Sequence, residues 1–399
     1  MYREKTFLCT FTDKSEIRRN AHLAHNSNRE NADLVEKCKN MIDRYQNQVN
    51  DICIKLSPPP DYKWSYLCSE IWSKFEENEQ SVYDLTNKLS IWKRISHDLE
   101  KYHKNGGFFV VGSMFNGFGL NHSAIDLSFI ANFKKLHGAN KKKSKANLSD
   151  LKHLFTNNED VRIVQVIKSF IPILRLEDKS SGLHINVTYN TLPYVRNTYL
   201  LQLYSKCDWR IRPLMVTIKL WAKHHKLLDS QKFNSFHLTM MVISYLQCGT
   251  RPIVLPNLQH LLYENLASVR YVPNINFAEK IIIPFQSANR QSLAQLLIGF
   301  FDYYVNFNFQ NNVIALRKGN VLPANFYCKN LSNRKFHSEF KGNCLKIEEP
   351  FDKFNSAKSC DKKTLEAVLA AFKESCVKLK TSSDLKSIFH ATDGLAEEL

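Results

Sequence analysis

The sequence contains no two cysteines in the CxxC spacing on which zinc sites and thiol redox motifs depend, although it carries 10 cysteines in 399 residues. Scattered singly, they read as buried thiols of a reducing compartment. No run of about 20 apolar residues occurs, so no membrane-spanning helix is expected. The opening stretch MYREKTFLCTFTDKSEIRR also lacks an apolar segment of signal-peptide length. A soluble cytoplasmic protein, with a nuclear setting as the alternative, is the expectation. No internal repeat, zinc finger or RNA-recognition module is legible. Acidic residues are in short supply: Asp and Glu number 38 against 55 Lys and Arg, a formal charge of +17. That surplus must lie on surfaces that attract a polyanion, which makes nucleic acid the first candidate partner beside the plainer reading of a generally basic soluble protein. What the chain does have is core material, 44% hydrophobic and 12% aromatic, enough for two or three globular units.

Residues 1–60 are polar and charged and end at Pro58, Pro59 and Pro60, which reads as an extension or linker. From Tyr62 to His103 apolar residues recur at helical spacing (Trp64, Leu67, Ile71, Phe75, then Leu85, Leu89, Trp92, Ile95, Leu99), predicting two helices. FFVVG and IDLSFIANF then read as strands, followed by the strand-like runs VIKSFIPILRLED and GLHINVTYN. RPLMVTIKLWAKHHKLL, SFHLTMMVISYLQ and SLAQLLIGFFDYYVNF have the length and spacing of buried helices. Strands therefore gather before about residue 195 and helices after it, an α+β module followed by a mostly helical one. The stretch HGANKKKSKAN, around Lys141, Lys142 and Lys143, reads as a solvated basic loop or as a contact for an RNA backbone.

The stretch with most chemistry in it runs from Gly112-Ser113 through Gly117 and Gly119 to Ser123-Ala124-Ile125-Asp126-Leu127. A Gly-Ser turn after a buried strand can open a helix whose backbone N–H groups and hydroxyl face a phosphate. On the following strand, positions 124 and 126 share one face, so both would point at that anion. They are Ala and Asp.

At this point the chain resembles the DNA polymerase beta-like nucleotidyltransferases, specifically the cytoplasmic poly(A) RNA polymerases and the terminal uridylyltransferases. Their signature is Gly-Ser, a short helix, then Ser-Asp-Ile-Asp-Leu; this chain matches it from Gly112 to Leu127 with Ala124 in place of the first Asp. PILRLEDKSSGLHINV resembles the segment leading to the third catalytic Asp and places Asn186 at that position. The resemblance continues through NTYLLQLYSKCDWRIRPLMVTIKLWAKHH, SFHLTMMVISYLQ, LIGFFDYY and IEEPFDKFNSAK, in the family's order. It implies an α+β fold: a polymerase-beta-like nucleotidyltransferase catalytic domain of mixed sheet and helices at 83–199, and a mostly helical central domain at 200–380 with a small nucleotide-recognition region. Residues 61–82 would be a helix of the central domain and residues 381–399 a C-terminal tail.

The resemblance also implies roles. Gly112 and Ser113 would meet the phosphates of ATP, Asn197 and Thr198 its ribose and base, Lys219 and Lys223 its β- and γ-phosphates, and Ser235 a phosphate oxygen. Phe236 stands where the family has a stacking Tyr, and stacking needs only the ring face. Lys219 and Lys223, four apart, share a helix face. Phe354 before Asn355, in PFDKFNSAK, resembles the adenylating branch, where uridylyltransferases place a His. The substrate pair would be ATP and an RNA 3′ end, with an adaptor protein selecting the RNA. Mg²⁺ or Mn²⁺ would be held by three carboxylates, of which only Asp126 remains, so metal binding is expected to be weakened. Three readings stay open: a poly(A) polymerase with whatever activity the altered site retains, a pseudoenzyme serving as an RNA- or protein-binding scaffold, and a terminal uridylyltransferase.

Overall fold

The computed structural model describes residues 62–100, 106–131, 144–156, 158–168, 171–268, 275, 277, 281–331 and 336–389. The polar extension at 1–60, Lys141 to Lys143 of the basic stretch, and the last ten residues lie outside them. The chain divides into two compact units, the first containing Glu79–Leu203 with Glu264–Ile282, the second containing Ser57–Asn78, Tyr204–Tyr263 and Ile283–Leu399. The described residues between 264 and 282 thus belong to the first unit, although they come from within the span expected to be helical domain.

The first unit is built on a five-stranded sheet of order β1-β2-β5-β4-β3. Its strands are β1 (Gly106–Val111), β2 (Ile125–Ala131), β3 (Val161–Ile167), β4 (Ile173–Asp178) and β5 (His184–Tyr189). β2 pairs with β5 in parallel, and every other pairing is antiparallel. Alternation sorts the side chains. Ile125, Leu127 and Phe129 of β2, Leu174 and Leu176 of β4, and Ile185 and Val187 of β5 enter one core. Helices α2 (Val82–Glu100) and α3 (Ser144–Thr156) complete it with Leu89, Trp92, Ile95, Leu148, Leu151 and Phe155. The intervening positions Asp126, Asn186 and Arg175 therefore fall on the opposite face. Helix α4 (Leu192–Ser205) follows the sheet.

The second unit gathers α1 (Tyr62–Asn78), α5 (Ile211–His224), α6 (Ser235–Ser244), α7 (Leu293–Val305) and α8 (Lys362–Ser382). Trp221 of α5 is its hub, its ring centroid 4.8 Å from Phe301 and 5.3 Å from Phe372. Its indole N–H donates to Ser375 Oγ at 2.8 Å, so the one polar atom of a fully buried side chain is satisfied. Helix starts are explicit: Asn234 with His237 and Ser292 with Gln295 form capping boxes, and Asp361 caps α8.

Three features depart from the sequence expectation. Ser144 to Asn147, read as part of a basic loop, already belong to α3. A hairpin of β6 (Asn312–Ala315) and β7 (Asn320–Pro323) interrupts the helical part; four-residue strands carry too little alternation to announce themselves. The beginning of the expected tail is packed: Leu385 and Ile388 are buried, and the Leu385 N–H donates to Glu70 Oε2 at 2.7 Å.

Phe129 is fully buried in β2, its ring 5.4 Å from Phe108 and 5.5 Å from Tyr189. Phe129→Ala should cost about 3–5 kcal/mol, read as a lowered urea midpoint in chemical denaturation.

Candidate functional site

Gly112 follows β1 at φ +71°, and a Cβ placed there would lie 2.7 Å from Asp126 Oδ2. Glycine is needed twice over, for the left-handed backbone and for the close approach of the carboxylate. The turn that follows is a single 3-10 turn, Gly112–Met114, rather than a longer phosphate-facing helix. Its leading N–H, on Gly112, donates to Thr198 Oγ1 at 2.8 Å, and the Thr198 hydroxyl donates in turn to the Tyr194 carbonyl at 2.7 Å. Residues expected to touch the nucleotide separately are thus coupled to each other. Asn197 and Thr198 are both buried in α4, Ser113 is half-buried on the turn, and Ala124 stands just ahead of β2.

Asp126 and Asn186 are register partners in the parallel pair, and Asn186 and Arg175 are partners in the antiparallel one. Asn186 Nδ2 donates to Asp126 Oδ1 at 2.9 Å, and Arg175 Nε donates to Asn186 Oδ1 at 3.1 Å. A guanidinium can only donate and a carboxylate can only accept, so the amide has one orientation compatible with both neighbours. The three side chains form a directed chain from cation to anion.

Behind the turn that delivers Ala124, the ammonium of Lys88 is fully enclosed. It donates to Ser123 Oγ at 2.9 Å, Gln80 Oε1 at 3.1 Å and the Leu120 carbonyl at 3.4 Å, and pairs with Asp84 at 2.5 Å. Burial lowers its pKa, while Asp84 and, more weakly, Asp126 oppose that shift. Neither Lys88 nor Arg175 was singled out from the sequence. Each is one basic residue within an amphipathic pattern, and only the register of distant strands and turns gives it a task.

The remaining expected contacts belong to the second unit. Lys219 is buried on α5; Lys223, one turn on, is more open, and desolvation lowers its pKa. Ser235 and Phe236 begin α6 and are half-buried. His237 Nδ1 accepts from the Asn234 N–H at 3.3 Å, so its Nε2–H is the donor to the Ser356 carbonyl at 3.0 Å. This neutral tautomer ties the start of α6 to the loop that carries Phe354. Lys358 Nζ lies 5.6 Å from the Phe354 ring centroid. Asn355 is fully buried and spent on structure: its Oδ1 accepts from Ile347 and Ala357, and its Nδ2 donates to the carbonyls of Glu339 and Leu345.

The residues present do not fit the divalent-metal centre that the resemblance implies. Ala124 offers no oxygen, and Asn186 turns N–H rather than a lone pair toward Asp126. Among the described residues no group of three or more His, Cys, Asp or Glu side chains could hold a metal ion.

A mixed sheet carrying a Gly-Ser turn against the single carboxylate of β2, with helices after it, is the arrangement of a polymerase-beta-like nucleotidyltransferase fold. The family model "Poly(A) RNA polymerase, mitochondrial-like, central palm domain" matches residues 67–206, and "Cid1 family poly A polymerase" matches 292–355. Poly(A) RNA polymerase gld-2 homolog B of Drosophila melanogaster is 33% identical over 87% of this chain. GLD-2 in its complex with RNP-8 superposes with a TM-score of 0.66 at 30% identity, covering 81% of this chain and 97% of that one. GLD-2 in its complex with GLD-3 gives 0.60 at 29%, covering 81% and 97%. The chain belongs to the family of GLD-2-like poly(A) RNA polymerases. It spans about a quarter of the length of the fly relative, 26%.

Two outcomes follow from this geometry. Gly112 and Gly182 share φ +71°, but nothing lies within 4 Å of a Cβ at Gly182. Gly182→Ala should therefore cost only the left-handed backbone penalty of about 1–2 kcal/mol, and Gly112→Ala distinctly more, both measured by urea denaturation. Burial holds the His237 imidazole down to about 4, against a backbone hydrogen bond to Ser356 that acts in the other direction. A depressed folded-state value means that the unfolded chain binds the proton more readily. The contribution is therefore fully present above about pH 6.5 and is lost as pH falls through 6.5 toward 4, on the order of 3 kcal/mol in all. Stability curves against pH for wild type and His237→Gln should diverge in slope only across that interval.

Proposed function

We propose that this chain handles the substrates of a poly(A) RNA polymerase, an adenosine nucleotide and an RNA 3′ end, without carrying the transfer step at the rate of an intact polymerase. The observation that carries the reading is the bond from Asn186 Nδ2 to Asp126 Oδ1. In the two-metal scheme three carboxylates hold the ions that activate the 3′-hydroxyl and neutralise the leaving pyrophosphate. Here one carboxylate remains, and one of its oxygens is engaged by an amide. The substrate-contacting groups are kept in kind: Asn197 and Thr198 in the first unit, and Lys219, Lys223, Ser235 and the Phe236 ring in the second. Phe354 in place of a His favours adenine over uracil. GLD-2 was solved in complex with RNP-8 and with GLD-3. We assign to this chain, likewise, a protein partner that brings it to RNA, in a cytoplasmic setting.

The purified chain, given an RNA oligonucleotide, each nucleoside triphosphate and Mg²⁺ or Mn²⁺, should extend the 3′ end slowly or not at all. Ala124→Asp with Asn186→Asp should extend it with ATP in preference to UTP, each single change helping little. Tails of equal length and rate from the unmodified chain would overturn the reading. Calorimetric ATP binding should weaken about tenfold in Lys219→Ala, which removes a charged phosphate contact, and detectably in Phe236→Ala; unchanged affinity in both would remove the nucleotide from the proposal.

A further inference from the structure

Positions 126 and 186 are in register on adjacent parallel strands. Two carboxylates placed so close repel each other, and a cation between them would be needed to hold both ionised. Asn186 removes that need. Its amide gives the carboxylate a donor at 2.9 Å and gives Arg175 an acceptor at 3.1 Å, so both formal charges of the trio are answered within the protein. Asp at 186 would still accept from Arg175 but would turn an anion toward Asp126. The substitution is therefore specific in its effect: it preserves the arginine's partner and reverses the polarity of the group facing Asp126.

The same change alters what the face offers an incoming polyphosphate. With carboxylates at 124, 126 and 186, three negative charges would lie on it, and an anionic ligand could approach only with cations interposed. At positions 124, 126 and 186 this chain carries one carboxylate, with the Arg175 guanidinium one amide away, and Glu177, two residues on from Arg175 on the same face, is engaged by Arg162. Lys88 lies behind the preceding turn, close enough for its charge and that of Asp126 to act on each other. The repulsion that a bridging cation would have to overcome has largely gone.

We infer that Asn186, bonded between Arg175 and Asp126, makes this a site for a nucleoside triphosphate as the free anion, with affinity independent of a divalent cation. The inference rests on the reading that the chain binds such a nucleotide, and it goes further in naming the ionic form bound.

Calorimetric titration with ATP, once in excess EDTA and once in excess Mg²⁺, tests it on the unmodified chain. Expected is an affinity in EDTA within about threefold of that in Mg²⁺. A loss of about tenfold or more on removing Mg²⁺ would overturn the inference and leave nucleotide binding standing. Absence of binding in both buffers would overturn the underlying reading and the inference with it. A second measurement needs no nucleotide: Mg²⁺ should leave the melting temperature of the unmodified chain unmoved and raise that of Asn186→Asp, where two carboxylates face each other. A Mg²⁺-dependent rise in the unmodified chain equal to that of Asn186→Asp would also overturn it.

Discussion

Parallel pairing of β2 with β5 is the constraint on which the first unit turns. It sends Leu127 and Val187 into the core together and stands Asp126 beside Asn186 on the other face. Neither strand can slip by one residue without moving its whole apolar set out of the core, so the polar pair is held in place by the hydrophobic effect acting on its neighbours. The core is thus what makes a short, directed hydrogen-bond chain possible on a half-exposed surface. Gly112 is drawn into the same arrangement, since the carboxylate occupies the space that a side chain there would need.

Charge is balanced differently at two cations of this unit, the half-buried Arg175 and the enclosed Lys88. Arg175 reaches its anion through an amide, whereas Lys88 meets Asp84 directly and donates as well to Gln80 and to the turn from Leu120 to Ser123. A buried ammonium stripped of such partners would cost several kcal/mol, so these bonds tie the turn just before Ala124 to α2. In the second unit the equivalent work is done without net charge. His237 joins the start of α6 to the loop carrying Phe354, and Asn355 ties that loop to Leu345 and Ile347, both side chains enclosed and both acting through neutral hydrogen bonds.

Long elements were legible because their periodicity is redundant. Trp64, Leu67, Ile71 and Phe75 announce α1, and FFVVG and IDLSFIANF announce β1 and β2 with several residues each. β6 and β7 were not, being four residues apiece. The alternation in ILRLED was visible, but that its Arg175 would meet Asn186 depends on how β4 lies against β5. His237 reads in sequence as one polar residue in an apolar helix, and the structure makes it a cap for that helix and a tie to Ser356, 119 residues further along the chain.

The sequence by itself determined which chemical groups this protein has and lacks at its centre: Gly-Ser at 112 and 113, Asp at 126, Ala at 124, Asn at 186, and the Lys, Ser and Phe that follow. Composition and spacing suffice for that, because the absence of a carboxylate is a property of a residue and not of its surroundings. Only the tertiary structure decided what the replacement does. An amide can donate or accept, and which end faces Asp126 is set by a guanidinium brought alongside from another strand. Covalent sequence carries the inventory of groups, while their polarity toward one another arises from strand register, which the burial of the whole core decides at once.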